Sequence, residues 1–120
     1  MSEPLVIETA YTYAATVERV IDGDTLLVMI DCGFELFHRQ RLRLLAVNAP
    51  EMSTEAGRET KKWVQDWLIQ HAPESSVLVH TRKSKSTDKY GRYLASVDAS
   101  DGSNLNNDLL ATGHAVEMWV

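Results

Sequence analysis

β-Branched and aromatic residues are concentrated in two segments near the start of the chain, over residues 11–21 and 25–30. Such segments are typical of strands, and the Asp22-Gly23-Asp24 between them is typical of a turn, so they predict a β-hairpin. Within residues 34–47, Leu42, Leu44 and Ala46 alternate with Arg41, Arg43 and Leu45. This period of two predicts a third strand, bent along its length, with one apolar and one basic face.

A helix is predicted after Pro50, which interrupts the strand pattern. Ser53 or Thr54 can cap its first turn, and its pattern continues to about Gln70. Its apolar stripe is formed by Trp63, Val64, Trp67 and Leu68, with Ala56 one heptad earlier. The helical spacing predicts that this stripe faces the core, and we favour this over a base-stacking role for the two tryptophans.

The second half of the chain predicts strands over residues 76–81 and 93–99, then a short helix over 105–112 that Gly113 ends. A last short strand is predicted over residues 116–120. Three strands, a helix, two strands and a helix suit a mainly β fold with α. We therefore expect a closed five-stranded Greek-key barrel of the oligonucleotide-binding (OB) class, with two or three packed helices.

Length and composition indicate one globular domain. The chain has 120 residues, 44% of them hydrophobic and 24% charged, and we expect a flexible lead-in over 1–10 and a single domain over 11–120. One cysteine excludes an intramolecular disulfide. No apolar run approaches the roughly 20 residues that span a bilayer, and the N-terminus lacks the features of a signal peptide. We expect a cytoplasmic monomer, with secretion of a longer precursor left open.

The net charge of −5 argues mildly against nucleic acid as a partner, because a polyanion is repelled at long range. The positive charge is nevertheless clustered. Five basic residues lie between residues 82 and 92, and Arg39, Arg41 and Arg43 alternate along the predicted third strand. The distribution of charge therefore keeps a nucleic-acid partner open.

Three segments place polar side chains beside turns, over residues 22–25, 43–51 and 88–92. If they converge, carboxylate and amide oxygens make a site for a hard cation such as calcium or magnesium. Arginines suit phosphate oxygens, and a glutamate outside the metal site can activate water. Together these groups predict phosphodiester hydrolysis. Singly, each has a plainer interpretation as a turn, a solvated strand face or a basic loop.

Over residues 16–119 the chain resembles the staphylococcal nuclease (thermonuclease-like) family. The resemblance rests on Val20-Ile21-Asp22-Gly23-Asp24-Thr25, Arg43-Leu44-Leu45-Ala46-Val47-Asn48-Ala49-Pro50-Glu51, Asp88-Lys89-Tyr90-Gly91-Arg92-Tyr93-Leu94-Ala95, and Asn104-Leu105 followed by Leu109-Leu110 and Gly113-His114-Ala115. It implies the same barrel and a calcium-dependent phosphodiesterase that acts on DNA, RNA or both.

The resemblance also implies a metal site. Asp24 would be the metal carboxylate, and Ala49 would contribute its backbone carbonyl. Asn48 stands where other members carry a second aspartate, so we expect weaker metal binding. Asp22 would support the site from outside the ligand set.

The resemblance implies catalytic and substrate-binding residues in the same way, from their positions in the matched motifs. Glu51 matches the glutamate that activates or positions water, and Arg43 and Arg92 match the arginines that bind the reacting phosphate. The substrate contacts implied by position are Lys89, Tyr90 and, by a weaker alignment, Trp119.

Two alternatives to an active enzyme stay open. The neutral Asn48 and the acidic net charge are compatible with a nucleic-acid- or protein-binding module that has lost catalysis. The chain's end at Val120, before a helix found in longer members, is compatible with a small structural domain of a larger assembly.

Overall fold

The structure is a computed structural model that describes residues 10–82 and 93–118. Its strands and helices, in chain order, are β1 (Ala10–Asp22), β2 (Thr25–Asp31), β3 (Phe37–Leu44), β4 (Val47–Asn48), α1 (Glu55–His71), β5 (Ser76–Arg82), β6 (Tyr93–Ala99), α2 (Leu105–Ala111) and β7 (Val116–Glu117). A short 3₁₀ turn, Pro73–Ser75, joins α1 to β5. Of the predicted lead-in, only Ala10 is described, and it begins β1.

Five strands close into a barrel in the order β1-β2-β3-β6-β5, with β5 pairing back onto β1. The pairing of β3 with β6 is parallel, and the other pairings in the barrel are antiparallel. β4 and β7 form a separate two-stranded ribbon beside the barrel. The predicted five-stranded barrel with packed helices is confirmed.

The barrel interior is filled by the side chains at alternate positions of its strands, which face inward. Leu26 and Val28 from β2, Leu42 from β3, Val79 from β5 and Val97 from β6 are all completely buried. Their alternation with more exposed neighbours is what a sheet with one buried face requires. Burying these side chains is the main term that stabilises the barrel.

Helix α1 begins after Thr54, whose hydroxyl accepts a hydrogen bond from the Gly57 amide at 3.0 Å. The predicted core face is confirmed at Val64, Trp67 and Leu68, which are buried, and Trp63 packs against the core with part of its surface exposed.

The predicted place of Ala56 on this face is wrong. Ala56 is exposed, and Gly57 and Thr60 continue the buried face toward the start of α1. The apolar pattern pointed to Ala56 because glycine and threonine do not register as hydrophobic, although both fit where the helix approaches its neighbours closely.

The third strand is shorter than the predicted 34–47. Phe34 and Glu35 have positive φ angles of 57° and 62° and form a turn, and Ala46, at 63°, separates β3 from β4. Arg39 and Arg41 are exposed, as a solvated strand face requires. Arg43 is buried, so the solvated-face interpretation is wrong for this residue.

Helix α2 packs on the barrel through Leu105 and Leu109, both fully buried. The buried Asn106 donates hydrogen bonds to the Leu45 and Ala95 carbonyls at 3.0 and 3.1 Å, which ties α2 to the turn after β3. The predicted last strand over 116–120 is only two residues long where it is described. Neither of the described helices is long and apolar enough to cross a bilayer.

Candidate active site

The turn between β1 and β2 lies beside the end of β3, because β2 and β3 pair in antiparallel register. Thr25 pairs with Arg43, which puts Asp24 next to the arginine. The Leu44 amide donates to the Asp24 carbonyl at 2.8 Å, and the Ala49 amide donates to Asp24 Oδ2 at the same distance. The first two predicted segments therefore meet at one end of the barrel.

The Asp24 carboxylate is held in a largely enclosed position, with the residue 8% exposed. Its Oδ1 accepts from the Thr25 hydroxyl at 3.2 Å, and its Oδ2 lies 3.3 Å from Arg43 Nη2. Burial, together with a hydrogen bond to Asp22, raises the pKa of Asp24 to about 6, against the lowering effect of the Ala49 amide and Arg43. The surroundings therefore leave part of the negative charge uncompensated.

The Arg43 guanidinium organises the segment after β3. Its Nη1 donates to the Leu44 carbonyl at 3.0 Å and to the Val47 carbonyl, which holds the tight turn between β3 and β4. Its Nη2 lies 3.3 Å from Asp24 Oδ2 and 3.4 Å from Asn48 Oδ1. These last two contacts are long for a charged hydrogen bond, so a phosphate oxygen could replace them at Nη2.

The oxygens of Asp24 and of the two residues tied to it, one through Arg43 and one through the Ala49 amide, suit a hard divalent cation. They comprise the Asp24 carboxylate, the amide oxygen of Asn48 and the carbonyl of Ala49, to which no described residue donates a hydrogen bond. Asp22 holds the Asp24 amide at 3.1 Å from outside this set. No group of three or more histidine, cysteine and acidic side chains with metal-binding geometry occurs in residues 10–82 and 93–118. A cation here would therefore rely on one buried carboxylate and neutral oxygens.

Glu51 lies in the turn that leads into α1, and its side chain is exposed. Its backbone is fixed, because the Glu51 carbonyl accepts hydrogen bonds from the Thr54 amide at 3.0 Å and the Thr54 hydroxyl at 2.7 Å. The carboxylate makes no described hydrogen bond or ion pair. The carboxylate is therefore exposed to solvent, and the residue that carries it lies two positions after Ala49.

Two glycines allow the segments around this turn to approach one another closely. A Cβ atom on Gly57 would lie 1.9 Å from the Glu51 carbonyl oxygen, and one on Gly23 would lie 2.5 Å from Thr60 Cγ2 and 2.8 Å from Ala49 Cβ. Only glycine fits in either place. Gly57 and Thr60 were not predicted from the sequence to support the site. The one signal for them was their helical spacing from the predicted core positions in α1.

Four residues predicted to act on the substrate lie outside the described part of the chain: Lys89, Tyr90, Arg92 and Trp119. Their described neighbours are close to the end of β3. Tyr93 pairs with Leu42, and the Met118 amide donates to the Ala46 carbonyl at 3.0 Å. The roles of these four residues stay predictions.

Replacing Asp24 with asparagine is expected to remove a loss of stability that the parent protein suffers as pH rises. An unfolded carboxyl group releases its proton near pH 3.8, whereas folded Asp24 keeps it to about pH 6. The free energy of unfolding therefore falls between these values and stays lower above them. Without divalent ions at about pH 7, urea denaturation should show the variant to be more stable by about 1–3 kcal/mol.

Asp66→Asn is the matched control, because Asp66 is an exposed carboxylate on α1 that pairs only with Lys62 at 3.0 Å among the described residues. Its stability should differ from that of the parent by less than about 0.5 kcal/mol. The free energy of unfolding can also be compared between about pH 4 and pH 6. If it changed by the same amount in the parent and in Asp24→Asn, the raised pKa of Asp24 would be contradicted.

Comparison with known proteins identifies relatives over most of the chain. A family described as staphylococcal nuclease homologue matches residues 41–120. An "Uncharacterized endonuclease" of Escherichia coli O157:H7 is 35% identical over 104 residues, which are 87% of this chain and 58% of the relative. "Endonuclease YhcR" of Bacillus subtilis is 29% identical over 115 residues, 90% of this chain and 9% of the relative.

A third relative extends the comparison. "Uncharacterized protein MJ1439" of Methanocaldococcus jannaschii is 28% identical over 131 residues, covering 91% of this chain and 61% of the relative. The chain thus spans less than two thirds of the length of each of these three curated relatives. The family match covers 80 of the 120 residues and includes Arg43, Asn48, Ala49 and Glu51. By this match, and with a barrel that agrees with it, the chain belongs to the staphylococcal nuclease homologue family.

Proposed function

We propose that this domain is a calcium-dependent phosphodiesterase that hydrolyses DNA, RNA or both. The observation that carries the proposal is one cluster in which Arg43 lies 3.3 Å from the buried Asp24 and 3.4 Å from Asn48. Such a cluster combines a cation-binding carboxylate with a phosphate-binding guanidinium. The name endonuclease carried by two of the relatives supports the same reaction class.

In this proposal the chain's own residues bind the phosphate and handle the proton of water. The Nη2 edge of Arg43 binds a phosphate oxygen and offsets the charge that grows there in the transition state. Glu51 accepts a proton from the attacking water, as the water oxygen bonds to phosphorus and the 5′ oxygen leaves. A calcium ion held by Asp24, Asn48 and the Ala49 carbonyl would supply Lewis-acid polarisation of the phosphate.

A second candidate function is a nucleic-acid- or protein-binding module without catalysis. It is favoured by the neutral Asn48, which leaves Asp24 as the single carboxylate in the proposed ligand set. Fewer charged ligands weaken binding of a hard cation. Such a module would keep Arg43 and the barrel surface but would not hold the ion at physiological concentrations.

Cleavage assays with and without a chelator separate the two functions. Supercoiled plasmid and labelled single-stranded DNA are incubated with the protein in calcium, in magnesium and in EDTA. We expect cleavage in calcium that EDTA abolishes. We also expect calcium to raise the melting temperature of the parent but not that of Asp24→Asn, since the variant lacks the charged ligand.

Binding of DNA without cleavage at any calcium concentration would favour the module over the enzyme. Cleavage that persists in EDTA would contradict the metal requirement. A thermal shift by calcium that is the same in the parent and in Asp24→Asn would place the ion elsewhere.

A further inference from the structure

We propose that the outer face of β2 and β3, with the hairpin tip that joins them, binds a single-stranded nucleic acid as it leaves the candidate active site. We call this surface the hairpin track and define it by Arg19, Leu27, Met29, Arg41, Phe34 and Phe37. The inference rests on the proposed function, and it names a length of substrate beyond the cleaved bond.

The track begins at the site itself. Arg41 lies two residues before Arg43 on β3, so both side chains stand on the same face of the strand. Arg41 pairs across Leu27 of β2, which in turn pairs with Arg19 of β1. Both of these outer arginines are exposed, and no carboxylate of the described residues lies within ion-pairing distance of either one. The surface next to the site therefore carries two cations that no carboxylate of residues 10–82 and 93–118 compensates.

The floor between the arginines is apolar. Leu27 and its next outward neighbour Met29 are partly exposed on β2. Arg39 pairs with Met29 across the sheet, but Glu18 holds its guanidinium at 2.6 and 3.2 Å. Arg39 is thus already neutralised, and the free positive charge is confined to the half of the track nearest the site.

The far end of the track is an apolar tip. Phe34 is 97% exposed, Leu36 63% and Phe37 64%. The tip is an ordered turn, because the Cys32 amide donates to the Leu36 carbonyl and the Leu36 amide to the Gly33 carbonyl, both at 2.9 Å. Three large apolar side chains within four residues of a turn are costly in water, and such a patch is typical of a binding surface.

A single-stranded nucleic acid fits this sequence of features. Proteins bind such strands by cations that follow the phosphates and by aromatic rings on which bases stack. From Arg43 to Phe37 is six residues of β3, or about 20 Å at the strand rise. Phosphates next to the cleaved bond would meet Arg41 and Arg19, and bases further along would stack on Phe37 and Phe34.

The acidic residues at the tip argue against a bilayer as the occupant. Asp31 and Glu35 flank the exposed phenylalanines and are themselves exposed. Anionic lipid headgroups would be repelled by these carboxylates. The faces of nucleic-acid bases are uncharged, so they can stack on the two phenylalanine rings while their phosphates stay in solvent, away from these carboxylates.

The test measures binding of single-stranded DNA of two lengths to the full chain. A Glu51→Gln background slows cleavage, and oligothymidylates of 3 and 15 nucleotides are titrated in calcium at several salt concentrations. Two variants disrupt the track, Arg19→Gln/Arg41→Gln and Phe34→Ser/Phe37→Ser. Two others change a cation and an exposed apolar side chain on α1, away from the track: Lys62→Gln, whose lysine pairs with Asp66 at 3.0 Å, and Ile69→Ser.

Each track variant is expected to bind the 15-mer about tenfold more weakly, relative to its binding of the 3-mer. In the arginine variant the slope of log affinity against log salt should fall by about 0.7 for each phosphate that the protein no longer neutralises. The phenylalanine variant should keep the slope, because stacking releases no counterions. Both α1 variants should bind like the background protein.

Equal binding of the 15-mer by all variants would overturn the hairpin track and leave the proposed function intact. Equal loss for both lengths would also overturn it, because the residues would then act on the site or the fold. If light scattering shows a dimer that Phe34→Ser/Phe37→Ser dissociates while DNA affinity is unchanged, the tip contacts a second copy instead. If the parent protein neither binds nor cleaves either length, the proposed function fails together with the track.

Discussion

Replacing Glu51 with glutamine is expected to reduce the rate of phosphodiester cleavage by about 10²–10⁴-fold, the range usual for loss of a general base. Glutamine keeps the size of the side chain but cannot take a proton from water. The fold should be unaffected, because Thr54 is bonded to the backbone carbonyl of Glu51 and the side chain itself is exposed. Single-turnover cleavage of a labelled oligonucleotide in calcium measures the effect.

Glu59→Gln is the matched control, since Glu59 is an exposed carboxylate one helical turn into α1. It should cleave at the parent rate. Parent-like cleavage by Glu51→Gln, with its calcium requirement kept, would show that another group activates the water.

Replacing Gly57 with alanine is expected to destabilise the protein by about 3 kcal/mol, at the upper end for overpacked sites, and to lower its activity as well. The added Cβ would lie 1.9 Å from the Glu51 carbonyl oxygen and 2.9 Å from the Pro50 carbonyl oxygen. Both are backbone atoms, so the clash can be relieved only if α1 or the turn before it moves. That movement would displace Glu51 from its place beside Ala49.

Helix propensity alone would give the opposite sign. In an exposed helical position, glycine to alanine stabilises by about 1 kcal/mol. Urea denaturation at neutral pH measures the difference in the free energy of unfolding. Gln65→Ala, an exposed change on the same helix, serves as the control and should leave stability nearly unchanged. A Gly57→Ala protein as stable and active as the parent would mean that α1 does not approach the turn so closely.

The barrel was predictable because its signals are local. The β-branched residues of the segments that became β1 and β2, the turn at Gly23 and the Thr54 cap are each recognisable from neighbouring residues, and the order of the elements along the chain is typical of one architecture. For the third strand, the sequence carried no signal for the conformation that limits it. The predicted third strand was too long because the turn at Phe34 uses a left-handed backbone that a phenylalanine seldom adopts.

The candidate site divides in the same way. Its residue types were recognisable from motifs, and the pattern of arginines on β3 was visible as alternation. The burial of Arg43, its bonds to the Leu44 and Val47 carbonyls, and its contact with Asp24 depend on how β2, β3 and the following turn are folded together. A strand pattern distinguishes two faces, but it does not show which end of a face another segment will cover.

The amino-acid sequence by itself determined the order of strands and helices, the family of the chain and the chemical groups available to a site. Only the tertiary structure decided that Asp24 is enclosed beside Arg43, that Gly57 must lie against Glu51, and that the phenylalanines of the hairpin tip stay in water. The reason is physical. Periodicity and capping act over a few residues, whereas burial, pKa and close backbone approach are set by segments that are distant in the chain and meet only after folding.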